Sequence, residues 1–254
     1  MKKFWKYQIP YHLDSPQRTL FHKQIIKKKP FLRKLYEEWY QELTDLKPIL
    51  PSGKMVELGS GGGFLKDIDP AIICSDIIDL PSNDLTFSAL EMPFSNNELS
   101  ALFMIDTFHH IPDSALFLNE AKRVLKKDGM LVMIEPANSL WGRFIYKNFH
   151  HEPFEPAAGW NIPAAGPLSG ANGALPWIVF ERDRKIFESK YQSLQILEIK
   201  HHTPLRYLLS GGVSYKQMVP GFSYPFFTWL DKTIPLFSRQ LSMFVTLKIK
   251  KINT

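Results

Sequence analysis

The sequence predicts an α/β fold: a doubly wound, mostly parallel sheet of seven strands, preceded by N-terminal helices and carrying a C-terminal aromatic insertion. Three observations predict it. Short apolar runs alternate with helical patterns, as in a parallel sheet covered on both faces. The runs hold few polar positions, as buried parallel strands do. A glycine cluster, Gly59-Ser60-Gly61-Gly62-Gly63, directly follows the first run.

In order along the chain, Phe31, Leu35, Trp39, Leu43 and Leu46 recur at helical spacing between Pro30 and Leu46, with Lys34, Glu37, Glu38 and Asp45 on other faces. Pro48 and Pro51 stop this helix, and Lys54 to Leu58 reads as the first strand. Phe64 to Ile68 leaves room for a stunted helix before the second strand, Ala71 to Asp76. Leu85 to Ser88 and Leu102 to Asp106 supply the third and fourth. Asp113 to Lys127 is an amphipathic helix with Asp113 as N-cap and Gly129 as its stop, and Met130 to Glu135 is the fifth strand. Ser139 to Phe149 and Leu175 to Tyr191 read as helices. His150 to Ala174, broken by Pro and Gly, reads as a long functional loop. Leu194 to Lys200 and Ser242 to Lys250 complete the strands.

A chain of 254 residues suits one core. Residues 1–50 read as a helical cap and 51–254 as the main domain, with insertions at about 150–175 and 203–240. The formal charge of +6 favours an anionic partner, and Lys and Arg crowd the first 34 residues. Cys74 is the only cysteine, which excludes an intrachain disulfide and a four-cysteine zinc site. No apolar run approaches the roughly 20 residues that span a bilayer, and the N-terminus lacks a signal-peptide core. A cytoplasmic protein, able to touch a membrane surface, is expected.

A glycine turn between strand and helix lets a nucleotide approach the backbone, because no Cβ intrudes. A dinucleotide site would place a third glycine where Phe64 stands; the pattern instead is acidic-x-G-x-G-x-G, Glu57 to Gly63. This segment resembles the first motif of class I S-adenosylmethionine-dependent methyltransferases, which have a Rossmann-like sheet, and the resemblance runs from Met55 to Pro136. It implies S-adenosylmethionine as cofactor, met by Glu57, Gly59, Ser60, Gly61 and Gly63. It also implies that Asp76, closing the second strand, accepts both ribose hydroxyls, with Ile77 beside it. Ser88-Ala89-Leu90 before Met92-Pro93-Phe94 resembles the adenine-binding segment, with Ser88 where an acid is common. Asp106-Thr107-Phe108-His109-His110 resembles the segment after strand four in quinone-type and other small-molecule members, which adds Asp106 and Thr107 to the cofactor set.

Methyl transfer to a hydroxyl profits from a base near neutrality, so His109, His110 and His151 are the catalytic candidates. His150-His151-Glu152 reads as a base with its orienting carboxylate, a divalent-metal site or a polar loop. Residue by residue a polar loop is favoured, but the cluster is taken as a substrate-facing group because its loop begins one helix after the fifth strand and can fold back over the carboxyl edge. No metal ligand is assigned; His150 and Glu152 are taken as acceptor contacts, with Asn172 and Arg206 as further polar ones. Amino-directed nucleic-acid methyltransferases carry an Asn/Asp-Pro-Pro-aromatic segment where Asp106-Thr107-Phe108-His109 stands, which disfavours nucleic acid. The aromatic stretch from Val219 to Phe237 suits a lid, an interfacial segment, a dimer contact or an enlarged core. The expected activity is methylation, at oxygen or carbon, of a small or lipid-linked acceptor such as a glycan, lipid or quinone precursor. An RNA methyltransferase and a non-catalytic cofactor-binding module are the alternatives.

Overall fold

The computed structural model describes residues 5–150, 152–163, 165–233 and 238–253. Strands β1 (Lys54–Leu58), β2 (Ile72–Asp76), β3 (Leu85–Thr86), β4 (Leu99–Ile105), β5 (Leu125–Pro136), β6 (Leu194–His202) and β7 (Phe244–Lys251) form one sheet in the order β3-β2-β1-β4-β5-β7-β6. Pairings are parallel from β3 to β5, and β7 runs antiparallel to both β5 and β6. The chain winds outward from β1 to β3 and then crosses back to β4. A crevice therefore opens beyond the carboxyl ends of β1 and β4, where such sheets bind ligands.

Every residue of β4 is buried, and period-two alternation divides them between two cores. Leu102 and Met104 meet Phe117, Leu118 and Ala121 of the helix Ser114–Val124. Ala101, Phe103 and Ile105 face the layer that holds Leu35, Trp39 and Leu43 of the helix Pro30–Thr44. This is the expected doubly wound arrangement. The helical stripe read from Phe31 to Leu46 is the side of the N-terminal region that lies on the sheet.

Several element boundaries differ from expectation. The helix Pro16–Lys28 buries only Thr19, Ile25 and Ile26, too thin a stripe to reveal a helix by periodicity. Strand β4 begins at Leu99, ahead of the predicted Leu102, because Ser100 satisfies its hydroxyl inside the sheet by donating to the Gly53 and Lys54 carbonyls at 3.1 and 3.0 Å. Pairing of Leu99 with Leu125 draws the next segment into the sheet, so the preceding helix ends at Val124. Gly129 therefore lies within β5, where a Cβ would sit 3.0 Å from the Lys126 and Ser100 carbonyl oxygens. The predicted helix from Leu175 to Tyr191 is broken into Leu175–Trp177, a wide turn over Ile178–Arg182 and Arg184–Lys190. The described part of the aromatic insertion includes the helices Arg206–Ser210 and Tyr224–Thr233. No helix among the described residues is long and apolar enough to cross a membrane.

Candidate cofactor and acceptor site

At the end of β1 the backbone turns through Gly59 and Gly61 at φ +68° and +38°, a region that favours glycine. The turn is tied to β2, since the Ser60 amide donates to the Ser75 carbonyl at 2.9 Å and the Ser75 amide donates to Ser60 Oγ at 3.1 Å. A Cβ on Gly59 would lie 2.3 Å from Thr107 Cγ2, so the loop passes hard against the turn after β4. Asp76 ends β2 with Oδ2 accepting from the Gly61 amide and Oδ1 from the Ile78 amide, both at 2.9 Å. Its carboxylate is thereby aimed at the mouth of the glycine loop, and each oxygen keeps a lone pair for a further donor.

A cavity of about 310 Å³ opens at this point. All the residues expected to meet the cofactor line it: Glu57, Gly59, Ser60, Gly61, Gly63, Asp76, Ile77, Ser88, Ala89, Leu90, Asp106 and Thr107. Ser88 uses its hydroxyl locally, accepting from the Leu90 amide at 3.2 Å. The same cavity continues to His110, His150 and Glu152. Thr19, His22, Tyr36 and Tyr40 also line it. Sequence reading missed these four, although Tyr36 and Tyr40 stand at helical spacing with each other and continue the stripe that was read.

The cavity is acidic although the chain is basic. Burial pushes the Glu57 carboxyl up to about 7 and raises that of Asp76. Asp106 lines the cavity from a left-handed backbone conformation, φ +55°, which aspartate tolerates better than most residues. Burial pushes its carboxyl up to about 7. Carboxylates that lose hydration in this way gain from a cationic occupant. S-adenosylmethionine carries a sulfonium and an ammonium, and a ribose whose two hydroxyls a carboxylate such as that of Asp76 can accept. The glycine loop, Asp76 and this acidic wall fit the group.

Beyond Asp106 the chain makes a short turn, Phe108–His110, built around one buried carboxylate. Glu135, near the end of β5, accepts from the amides of Thr107, Phe108 and His109 at 2.8, 2.7 and 3.4 Å, and contacts His109 Nδ1 at 2.8 Å. Nε2 of His109 lies 3.2 Å from Glu152 Oε2. Burial opposes a charge on His109, but its hydrogen bonds to Glu135 and Glu152 hold its pKa well above the usual histidine value. Burial pushes Glu152 the other way, yet the His109 hydrogen bond and the charge of His150 keep its carboxyl well below the usual range. His110 differs from its neighbour. Its Nδ1 meets the Gly170 carbonyl at 2.9 Å, and burial beside the His109 charge pushes it down to about 4.

The structure thus brings His109, His110, His150 and Glu152 together, with His109 behind the wall and His110 on it. His151 lies outside the described residues. Asn172 and Arg206 do not line this cavity. Both ends of the Asn172 amide are used to tie its loop: Oδ1 accepts from the Glu155 and Ala174 amides, and Nδ2 donates to the Glu155 carbonyl. Arg206 is buried in a clasp, donating to both Glu38 oxygens, to Asp231 Oδ2 at 2.6 Å and to the Tyr224 hydroxyl at 2.7 Å. It stands away from the cavity where an acceptor contact was expected, its donors spent joining the helices Pro30–Thr44 and Tyr224–Thr233. Asn172 likewise stands away from it. Glu135, the buried carboxylate that holds this turn and His109, is not picked out by the sequence reading; a charged side chain ending an apolar strand was the available signal.

Residues 66–133 match the methyltransferase domain family model, a stretch that includes Asp76, Ser88 to Leu90 and Asp106 to His110 and begins just after the glycine loop. No curated protein matches the chain in sequence. Among solved structures, the chain is similar to geranyl diphosphate C-methyltransferase from Streptomyces coelicolor A3(2), in complex with Mg2+, geranyl diphosphate and S-adenosyl-L-homocysteine. Identity is 14%, coverage 94% of this chain and 86% of that one, and the TM-score 0.54. A second complex of that enzyme, with geranyl-S-thiolodiphosphate, aligns at 16% identity over 98% and 87% of the two chains, with a TM-score of 0.50. A SAM-dependent methyltransferase from Archaeoglobus fulgidus aligns at 14% identity over 85% and 94%, with a TM-score of 0.48. At these identities the likeness is one of fold. The domain match over residues 66–133 and the sheet order identify a methyltransferase domain on a Rossmann-like sheet, which supports a class I S-adenosylmethionine-dependent methyltransferase with S-adenosylmethionine as cofactor.

Proposed function

We propose that this enzyme methylates a small acceptor, at an oxygen or carbon atom presented to His110 and Glu152. The observation that carries the reading is the single cavity joining the glycine loop and Asp76 to that histidine–glutamate wall. Bound S-adenosylmethionine supplies an electrophilic methyl group. The chain's own contribution is placement, and holding two reactants in line can supply about 7–11 kcal/mol of the barrier. His110 presents Nε2 to the acceptor because its Nδ1–H is committed to the Gly170 carbonyl. His109 works behind it, held between Glu135 and Glu152, and is a positioning residue. A catalytic part for His151 belongs to the same reading of this loop.

The acceptor's remainder extends past Ile111, Pro112 and Ile162 toward Leu168, an apolar end of the same cavity. This favours an acceptor with an apolar or lipid-linked portion. Phe222, Phe226 and Trp229, at 84%, 56% and 60% exposure, add an aromatic surface that suits an interfacial location.

Calorimetry with S-adenosylmethionine and S-adenosylhomocysteine, followed by turnover of labelled cofactor over a panel of hydroxylated glycan, lipid and quinone precursors, tests the reading. Absence of cofactor binding up to millimolar concentration, where only about 4 kcal/mol is needed, would sink it. Co-sedimentation with anionic liposomes at low salt tests the interfacial part separately.

A further inference from the structure

His109, His110 and Glu152 converge in a way that hydrogen bonding between them does not exhaust. One ring nitrogen of His109, one of His110 and one Glu152 carboxylate oxygen all lie within 4.8 Å of one another. Specifically, His109 Nε2 is 3.2 Å from Glu152 Oε2 and His110 Nε2 is 3.8 Å from Glu152 Oε1. Two donors bound at about 2.0–2.1 Å to one tetrahedral ion stand about 3.3 Å apart, so the first separation already matches an edge of a coordination shell. The second needs a small rotation of one side chain.

The outer contacts point the same way. Nδ1 of His109 faces Glu135 Oε2 at 2.8 Å, and Nδ1 of His110 faces the Gly170 carbonyl at 2.9 Å. With Glu135 and the Gly170 carbonyl accepting, each Nδ1 carries a proton, which leaves the Nε2 of each ring, on the Glu152 side, as the nitrogen that can take a metal once it gives up any proton it holds. A carboxylate on one ligating histidine and a backbone carbonyl on another are the partners that fix metal-binding tautomers. Both imidazoles are mostly buried and held by partners from elsewhere in the chain. Access is through the cavity, which His110 and Glu152 line.

We infer that His109, His110 and Glu152 form a binding site for a divalent transition-metal ion of the zinc type, with its open positions toward the acceptor. Two imidazole nitrogens and one carboxylate suit Zn2+, Fe2+, Co2+ or Ni2+ better than Mg2+ or Ca2+, which prefer all-oxygen shells. The ion displaces the proton that His109 shares with Glu152. The bound ion would hold the acceptor oxygen in place of the direct contact with His110 Nε2, a part that rests on the function proposed above; its binding does not.

The test is titration of the full-length protein with Co2+, read by visible d–d absorption, and with Zn2+ by competition. One equivalent per chain is expected, with intense bands of a low-coordinate site. His110→Ala and the near-isosteric Glu152→Gln should each weaken Co2+ at least a hundredfold while S-adenosylhomocysteine still binds, which also reports that the variants are folded. Asp76→Ala should do the reverse, losing the cofactor and keeping Co2+, so that the metal site and the methyltransferase reading fail separately. Absence of d–d bands in the wild-type protein, or unchanged Co2+ affinity in folded Glu152→Gln and His110→Ala, overturns the inference.

Discussion

Glu135 Oε2 and His109 Nδ1 lie 2.8 Å apart, with Glu135 fully buried and the His109 side chain 1% exposed. The same carboxylate gathers the amides of Thr107, Phe108 and His109, so one side chain from β5 shapes the turn that leaves β4. It also aims the ring of His109 at Glu152. In this contact the fold and the site depend on the same atoms.

Glu135→Gln replaces an acceptor that serves four donors with a group that has an acceptor at one end only. At least one buried donor then faces an amide nitrogen, a loss of about 1–3 kcal/mol and more if His109 stays charged. Urea denaturation should show a lower midpoint with an unchanged slope. A midpoint equal to that of the wild type would mean that the turn is held by something else.

Asp76→Ala removes the carboxylate aimed at the glycine loop. Affinity for S-adenosylhomocysteine should fall at least tenfold, or about 1.4 kcal/mol. Because Asp76 also accepts from the Gly61 and Ile78 amides, Asp76→Asn provides the finer comparison. It keeps one acceptor oxygen and should lose less. Calorimetry giving wild-type affinity for the alanine variant would remove Asp76 from the cofactor site.

Gly63 is closed to any side chain, because its Cβ would lie 2.2 Å from the Tyr40 hydroxyl. Gly63→Ala should cost about 1–3 kcal/mol through overpacking and displace the loop, weakening cofactor binding. Tyr40→Phe removes the clashing oxygen, though it also removes the acceptor for the Phe64 amide and leaves the Ser60 carbonyl 2.8 Å from the new Cβ. The double variant should therefore recover only part of the loss in thermal denaturation. Strict additivity of the two single effects would show that they do not meet.

Lys29 is a buried cation, its ammonium donating to the Gly212 and Tyr215 carbonyls. Burial pushes its pKa from 10.5 down to about 7. Between those values the unfolded chain keeps a proton that the folded chain has released, so folding stability from this group rises with pH across that window and levels off below it. Lys29→Met cannot titrate. The wild-type unfolding free energy, less that of the variant, should grow as pH is raised from about 7 to about 10. A difference that stays flat would place the lysine's titration outside the folded range expected for it.

The amino-acid sequence by itself determined the doubly wound sheet and which residues line the glycine-loop side of the cavity. Both depend on local patterns: apolar runs such as Met55 to Leu58, the Gly59 to Gly63 turn that follows, and Asp76 at the end of the next strand. Each strand end delivers its own residues to the same crevice, so their order along the chain was enough to group them. Boundaries blurred where a polar residue found partners inside the sheet, as Ser100 does, or where pairing overrode a glycine stop, as at Gly129. The histidine–glutamate end of the cavity was decided only by the tertiary structure. Glu135 reaches His109 across 26 residues, Glu152 reaches it across 43, and Gly170 meets His110 across 60. Arg206, a polar residue in a loop-rich region by sequence, spends its charge on Glu38 across 168 residues. No spacing rule joins such partners, because burial and charge pairing act between surfaces that exist only once the sheet and its helices have packed.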